Sequence, residues 1–168
     1  LTSLQPLPGH PPMQGPPIWQ RLAAAAAYLL PWTEGLGFGR SLFGLFPVLQ
    51  WLSLPALPVA LVQQAVPGGL GGLLLFLVLY LAVVRNPRVP YLIRFSVLQA
   101  ILIDILLVLV RLAFDILLSP LRIDFALRTL GNTVFLGVLV LVGFGIIQSL
   151  RGEEADIPSL SEAVRMQL

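Results

Sequence analysis

Residues 92–118 read LIRFSVLQAILIDILLVLVRLAFDILL. The run holds no proline and no glycine, and apolar side chains fall on every face of the helix it predicts. A helix without a polar face is either the core of a large protein or a membrane span. At 27 residues it exceeds the ~20 needed to cross a bilayer. The chain of 168 residues is too short to bury such a helix in a water-soluble core and still cover itself with polar groups.

The rest of the chain points the same way. It is 57% apolar and only 11% charged, with a mean hydropathy of +0.92, whereas a soluble domain is about one quarter charged. The sequence therefore predicts an integral membrane protein. Cysteine is absent, which removes disulfides, thiolate nucleophiles and cysteine metal sites. The one histidine, His10, lies among prolines near the N-terminus, so no histidine-based metal centre, haem site or catalytic triad is expected. A net charge of +2 is too small for nucleic-acid binding. No H-E-x-x-H, no G-x-S-x-G and no paired aspartates on facing helices occur, and Gly35, Gly37 and Gly39 lack the spacing and the preceding strand of a nucleotide loop. No enzymatic activity and no cofactor are predicted.

Three regions follow. Residues 1–17 hold six prolines, no basic residue and no apolar core. They predict an extended, disordered tail and neither a cleavable signal nor a transit peptide. Residues 18–150 predict a transmembrane domain with spans at about 18–36, 68–84, 92–118 and 129–150, the first kinked at Pro31. Between the first two, Pro47, Pro55 and Pro58 break an apolar stretch that includes Trp51. That composition predicts short helices that lie in the interface or re-enter partway. Leu121 to Arg128 alternates apolar and charged residues and predicts a surface segment. Residues 151–168 form a polar tail with a short amphipathic helix, capped by Ser159 with Glu162 and directed at a membrane surface or a partner. The fold class is thus an all-α four-helix transmembrane bundle with an irregular segment after its first span. With both termini inside, six arginines (21, 85, 88, 94, 151 and 165) face the cytoplasm against three (40, 122 and 128) outside.

Chemistry concentrates on the third span. Asp104, Arg111 and Asp115 fall within about 40° of one another on one helix face. Charges at membrane depth normally face a bundle interior or a wet cavity. The stripe reads either as a polar lining or as an internal ion pair between Arg111 and Asp115. Gln99 lies off that stripe and predicts a hydrogen bond to a neighbouring helix, as do Asn132 and Thr133. Gly68 and Gly72, and Gly145 and Ser149, have the spacing of close helix contacts. Glu34 and Arg40 flank the first span without completing a catalytic set.

Several stretches together resemble one family, the twenty-kilodalton Tic subunit of the chloroplast inner-envelope protein translocon, with its cyanobacterial relatives. They are Tyr28-Leu29-Leu30-Pro31 with Glu34-Gly35 and Gly39-Arg40, then Phe46-Pro47, then Leu81 to Asn86. The most specific runs from Tyr91 to Ile105 and includes Arg94, Phe95 and Gln99. The tail from Ala155 to Gln167 is similar to the cyanobacterial branch. The resemblance covers residues 22 to 168, and it departs at Ser96 and Leu98, where Asn and Met are expected.

The resemblance implies four spans with both termini on the stromal or cytoplasmic side, and a part in protein import within a larger assembly. Expected partners are the lipid bilayer, other subunits or further copies of the chain, and a translocating polypeptide. The expected location is a cyanobacterial plasma or thylakoid membrane, or the plastid inner envelope if the chain is organellar. The alternative reading is a non-catalytic accessory or assembly subunit of a larger membrane complex, a photosynthetic one included.

Overall fold

The computed structural model describes residues 15–155, 157 and 160–168. His10 and the proposed cap Ser159 lie outside them, as does most of the Pro-rich segment. Every regular element among the described residues is helical: α1 (Ile18–Ala27), α2 (Leu29–Gly35), α3 (Arg40–Leu45), α4 (Leu57–Gln64), α5 (Gly71–Leu79), α6 (Tyr91–Ala113), α7 (Asp124–Leu150) and α8 (Leu160–Gln167).

The breaks follow from the backbone chemistry of proline and glycine. Pro31 has no N–H to offer the Ala27 carbonyl. The helix accordingly parts at Tyr28, whose N–H turns back to the Ala25 carbonyl at 3.2 Å, so α1 and α2 are two helices on one path. Prolines 47, 55 and 58 leave residues 36–67 as short pieces: 3-10 turns at Leu36–Gly39 and Pro47–Ala56 beside α3 and α4. This matches the expected broken character of the segment. Trp32 pins it to the bundle by donating from Nε1 to the Leu52 carbonyl at 2.8 Å. The stretch 68–84 begins later than its apolar run suggests. Gly68 takes a left-handed φ of +82° in a turn over Pro67–Gly69, so α5 starts at Gly71. α5 ends in a wide π turn, Tyr80–Val84.

α6 is uninterrupted for 23 residues and loosens into a second π turn at Phe114–Leu118 before Pro120. α7 begins earlier than the expected 129: Asp124 to Arg128 are already helical, while residues 121–128 are mostly exposed, as expected of a surface segment. Asp124 there sits at the positive end of the helix dipole. The far end of α7 closes in a Schellman motif. Gly152 at φ +78° lets its own N–H reach the Ser149 carbonyl and that of Glu153 reach the Gln148 carbonyl.

α1 and α2 lie between α6 and α7, which touch each other little. The buried residues of α7 are Gly131, Phe135, Val138, Val142, Gly145 and Ser149. Their spacing of four and three is a heptad seam. Small residues on both sides let the backbones close up. A Cβ at Gly35 would come within 2.5 Å of Val138, one at Gly39 within 2.8 Å of Phe135, and one at Gly145 within 2.5 Å of Tyr28. At the proposed Gly68–Gly72 contact the close approach falls on Gly71, where a Cβ would overlap the Gln63 carbonyl.

The exterior is as apolar as the core. Leu136, Val140 and Ile147 on α7, and Leu73, Val78 and Leu81 around α5, are all exposed. Among the described residues α7 is the one helix long and apolar enough to cross a membrane by length and composition. Gly71–Val84 is a shorter apolar stretch, about 21 Å long against ~30 Å of hydrocarbon. Helix length alone therefore does not carry the expected four spans.

α8 corrects a second expectation. Val164 is fully buried against Phe95 and Leu98 of α6, and Leu160 and Leu168 pack at the edges of the two core clusters. Its apolar face is used within the chain and not offered to a membrane or partner. Ala163, the residue before Val164, is exposed.

Candidate functional site

Polar side chains gather at two levels of α6. Near its start Gln99 is fully buried and fully bonded. Nε2 donates to the Tyr28 hydroxyl at 3.1 Å and to the Ala155 carbonyl at 2.9 Å. Oε1 accepts from the Ser161 hydroxyl at 2.9 Å. Ser161 Oγ in turn accepts from the Ile157 N–H at 2.6 Å. One amide thus joins the break between α1 and α2, α6, the chain after α7 and α8. Ser96 and Ser149 face each other beside it, 3.4 Å apart and both buried.

Gln99 was expected to bond across helices. Its partners Tyr28 and Ser161 carry no local signal in the sequence, since their separations from Gln99 are 71 and 62 residues. Thr133 bonds within its own helix, to the Thr129 carbonyl, and Asn132 has a buried Oδ1 without a partner among the described residues.

The same end of the molecule collects arginines. Arg94 donates from Nε to the Val84 carbonyl at 3.0 Å, which ties α6 to the end of the preceding π turn. Phe95 is fully buried, with the Arg165 guanidinium over its ring at 5.7 Å. Arg165 also pairs with Glu154 at 3.2 Å. Arg21 bonds the Pro16 carbonyl and lies against Gly152, so the start of α1 and the end of α7 are neighbours here.

The opposite end holds Glu34, Arg40, Arg111, Asp115 and Arg128. Arg111 Nη1 reaches Glu34 Oε1 at 2.6 Å, across 77 residues of chain. The i,i+4 pair of Arg111 with Asp115 is not formed. Asp115 lies in the π turn, where the 100° advance of a regular α-helix no longer holds. Arg40 and Arg128 border a recess of about 220 Å³ over Phe38 and Phe114, whose rings meet edge to face at 5.5 Å. A neighbouring recess of about 180 Å³ adds Arg111 and Asp115 to its rim.

Asp104 stands between the two levels, half-buried, with no hydrogen bond or ion pair among the described residues. The structure therefore brings Glu34, Arg40, Arg111 and Asp115 together at one end. It sets Arg94, Phe95 and Gln99 at the other and leaves Asp104 alone between them.

Among the described residues these groupings do not bring a nucleophile and a base together. Among the described residues no group of three or more acidic or histidine side chains could hold a metal ion. What the site can do is hold helices in register from within and present charge at both ends of an apolar body.

Comparison with known proteins fits that architecture. Residues 6–164 match the family model described as "Chloroplast import apparatus Tic20-like". The match begins within the Pro-rich segment, earlier than the resemblance at residue 22. A Tic20 family protein of Synechocystis is 38% identical over 149 residues, covering 88% of this chain and 92% of the relative. Protein TIC 20-II, chloroplastic, of Arabidopsis thaliana is 32% identical over 90% of this chain and 74% of its own. The Tic20 family protein Ycf60 of Gracilaria tenuistipitata is 34% identical over 90% and 76%. None of these names describes an enzyme. With the match running from before α1 into α8, the chain belongs to the Tic20 family.

Proposed function

We propose that this chain is a four-span membrane protein and a subunit of a protein-translocation assembly, with both termini on the cytoplasmic or stromal face. The observation that carries the reading is the layering of charge. Arg21, Arg94, Arg151 and Arg165 belong to one end, and Glu34, Arg40, Arg111 and Arg128 to the other. Arg94 and Arg111 are 17 residues apart on α6, about 26 Å along the axis. That is close to the ~30 Å thickness of a bilayer's hydrocarbon. Apart from the half-buried Asp104, the surface between the layers is apolar while the interior holds the Gln99 network, the reverse of a water-soluble protein.

The spans under this reading are α1 with α2, Gly71–Val84, α6 with its π turn, and α7. Residues 36–67 then lie at the outer interface, where Phe46, Val48 and Trp51 are exposed. The family description supplies the link to protein import. The space between α1, α6 and α7 is filled by Tyr28, Phe135 and Val138, so one copy encloses no peptide-wide channel. A polypeptide path would run along the outside of this bundle, against another copy or another subunit, and the side of α6 that carries Asp104 and Arg111, with Asp115 in the π turn beyond it, is the candidate surface.

The filled core equally favours the second reading, a non-conducting accessory subunit. A photocrosslinker placed at Asp104 or Asp115, with Val140 on the outer face of α7 as control, separates them. Translocation predicts adducts to an arrested precursor from α6 and none from Val140. Co-isolation with one membrane complex at fixed stoichiometry, without precursor adducts, would replace it by the accessory reading.

A further inference from the structure

An apolar groove of about 400 Å³ lies between α1, α5 and the start of α6. That volume falls in the ~300–1,000 Å³ range of ligand clefts. Ala23 and Ala26 form one wall, Leu75 and Leu79 the other, and Ile93 and Val97 belong to the floor. α5 is separated from α1 by this gap and is anchored through α4 and its own π turn. At one end the groove meets the turn that joins α5 to α6. Arg85, Arg88 and Arg94 stand there, and none of them forms an ion pair among the described residues. No carboxylate occurs in the sequence between Arg85 and Ile103.

We infer that this groove binds one acyl chain of an anionic phospholipid, with the phosphate held at the arginine end. The inference rests on the membrane reading above. The chemistry of the walls chooses the occupant. They offer no hydrogen-bonding side chain, so an extended peptide would leave its backbone N–H and C=O groups unsatisfied. A hydrocarbon chain asks for no such partner. In a bilayer, helices gain nothing from burying apolar surface against one another, and a gap forfeits dispersion contacts. An acyl chain restores those contacts and joins α5 to α1. Basic pockets at the cytoplasmic ends of spans recognise anionic headgroups. Arg85, whose guanidinium lies over the Tyr80 ring at 5.9 Å, and Arg88 supply guanidinium groups without an ion pair among the described residues, and the Arg94 Nε bond to the Val84 carbonyl leaves its terminal nitrogens free to donate.

The test uses the full chain in nanodiscs of phosphatidylcholine doped with phosphatidylglycerol, with lipid retained after extraction counted by native mass spectrometry. Phosphatidylglycerol is expected to be retained over phosphatidylcholine. Removing charge with Arg85→Gln and Arg88→Gln should weaken that preference about fivefold for each arginine. Filling the groove with Ala26→Phe, or independently with Leu75→Trp, should expel the lipid while helicity is kept. Leu136→Phe, on the outer face of α7, should change nothing. Equal retention of both lipids by the wild-type chain, or undiminished retention in both groove-filling variants, would overturn the inference. Crosslinking of residues 1–14 into the groove in place of lipid would do the same. Resistance of the wild-type chain to carbonate extraction keeps these outcomes separate from failure of the membrane reading, because a chain that washes off refutes both.

Discussion

Gln99 is the residue on which most of the chain converges. Both of its amide protons and its carbonyl are used, and its partners come from the break between α1 and α2, from α8 and from the segment after α7. A buried donor or acceptor left without a partner costs about 1–3 kcal/mol. Gln99→Leu should therefore destabilise the protein by that amount, read as a shift in detergent-phase thermal unfolding. Tyr28→Phe should cost less, about 1 kcal/mol, because the Ala155 carbonyl still accepts from Gln99. The double variant should fall short of the sum, since both changes remove the same contact. Gly145 makes a second test at this scale. Tyr28 lies where its Cβ would be, so Gly145→Ala should cost about 1–3 kcal/mol from overpacking. Gly137 on the same helix has no heavy atom within 4 Å of that position. Gly137→Ala should be neutral or stabilising by up to about 1 kcal/mol through helix propensity.

At the scale of elements, α8 behaves as a clasp. It is only eight residues long, too short to hold helical structure alone. Its contacts with α6 provide what local propensity does not. Val164 is buried against Phe95 while Ala163, its neighbour, faces outward. Val164→Asp should release the tail and open the bonds after Arg151 to protease, because an uncompensated charge cannot stay in that apolar contact. Ala163→Asp should leave the digestion pattern unchanged. Equal sensitivity of the two variants would mean that α8 is not docked on α6. The ion pair of Arg111 with Glu34 plays a related part at the other end. It joins α2 to α6, though the partial exposure of both side chains keeps its worth small.

For the whole molecule, the arrangement of the two charged ends makes a topology prediction. The chain has no cysteine, so single cysteines can be introduced without removing any. Cysteines at Arg88 and Arg151 should react with a membrane-impermeant maleimide from one side of sealed vesicles. Those at Arg40 and Arg122 should react from the other. All four should label after permeabilisation. Arg88 and Arg122 labelling from the same side would remove α6 as a span and with it the four-span arrangement.

The amino-acid sequence by itself determined the helical class, the apolar exterior and most of the breaks. These are local matters: proline lacks an N–H, glycine permits a left-handed turn at Gly68, and an uninterrupted run such as residues 92–118 has no other way to satisfy its backbone. Only the tertiary structure decided who meets whom. Arg111 chose Glu34 over Asp115, and α8 spent its apolar face on α6. Gly35 and Gly39, which belong to no motif in the sequence, became the close contacts of α2 and the turn after it with α7. Each of these depends on the rotation and height of one helix relative to another far away in sequence, and side-chain periodicity along a single helix carries no information about that.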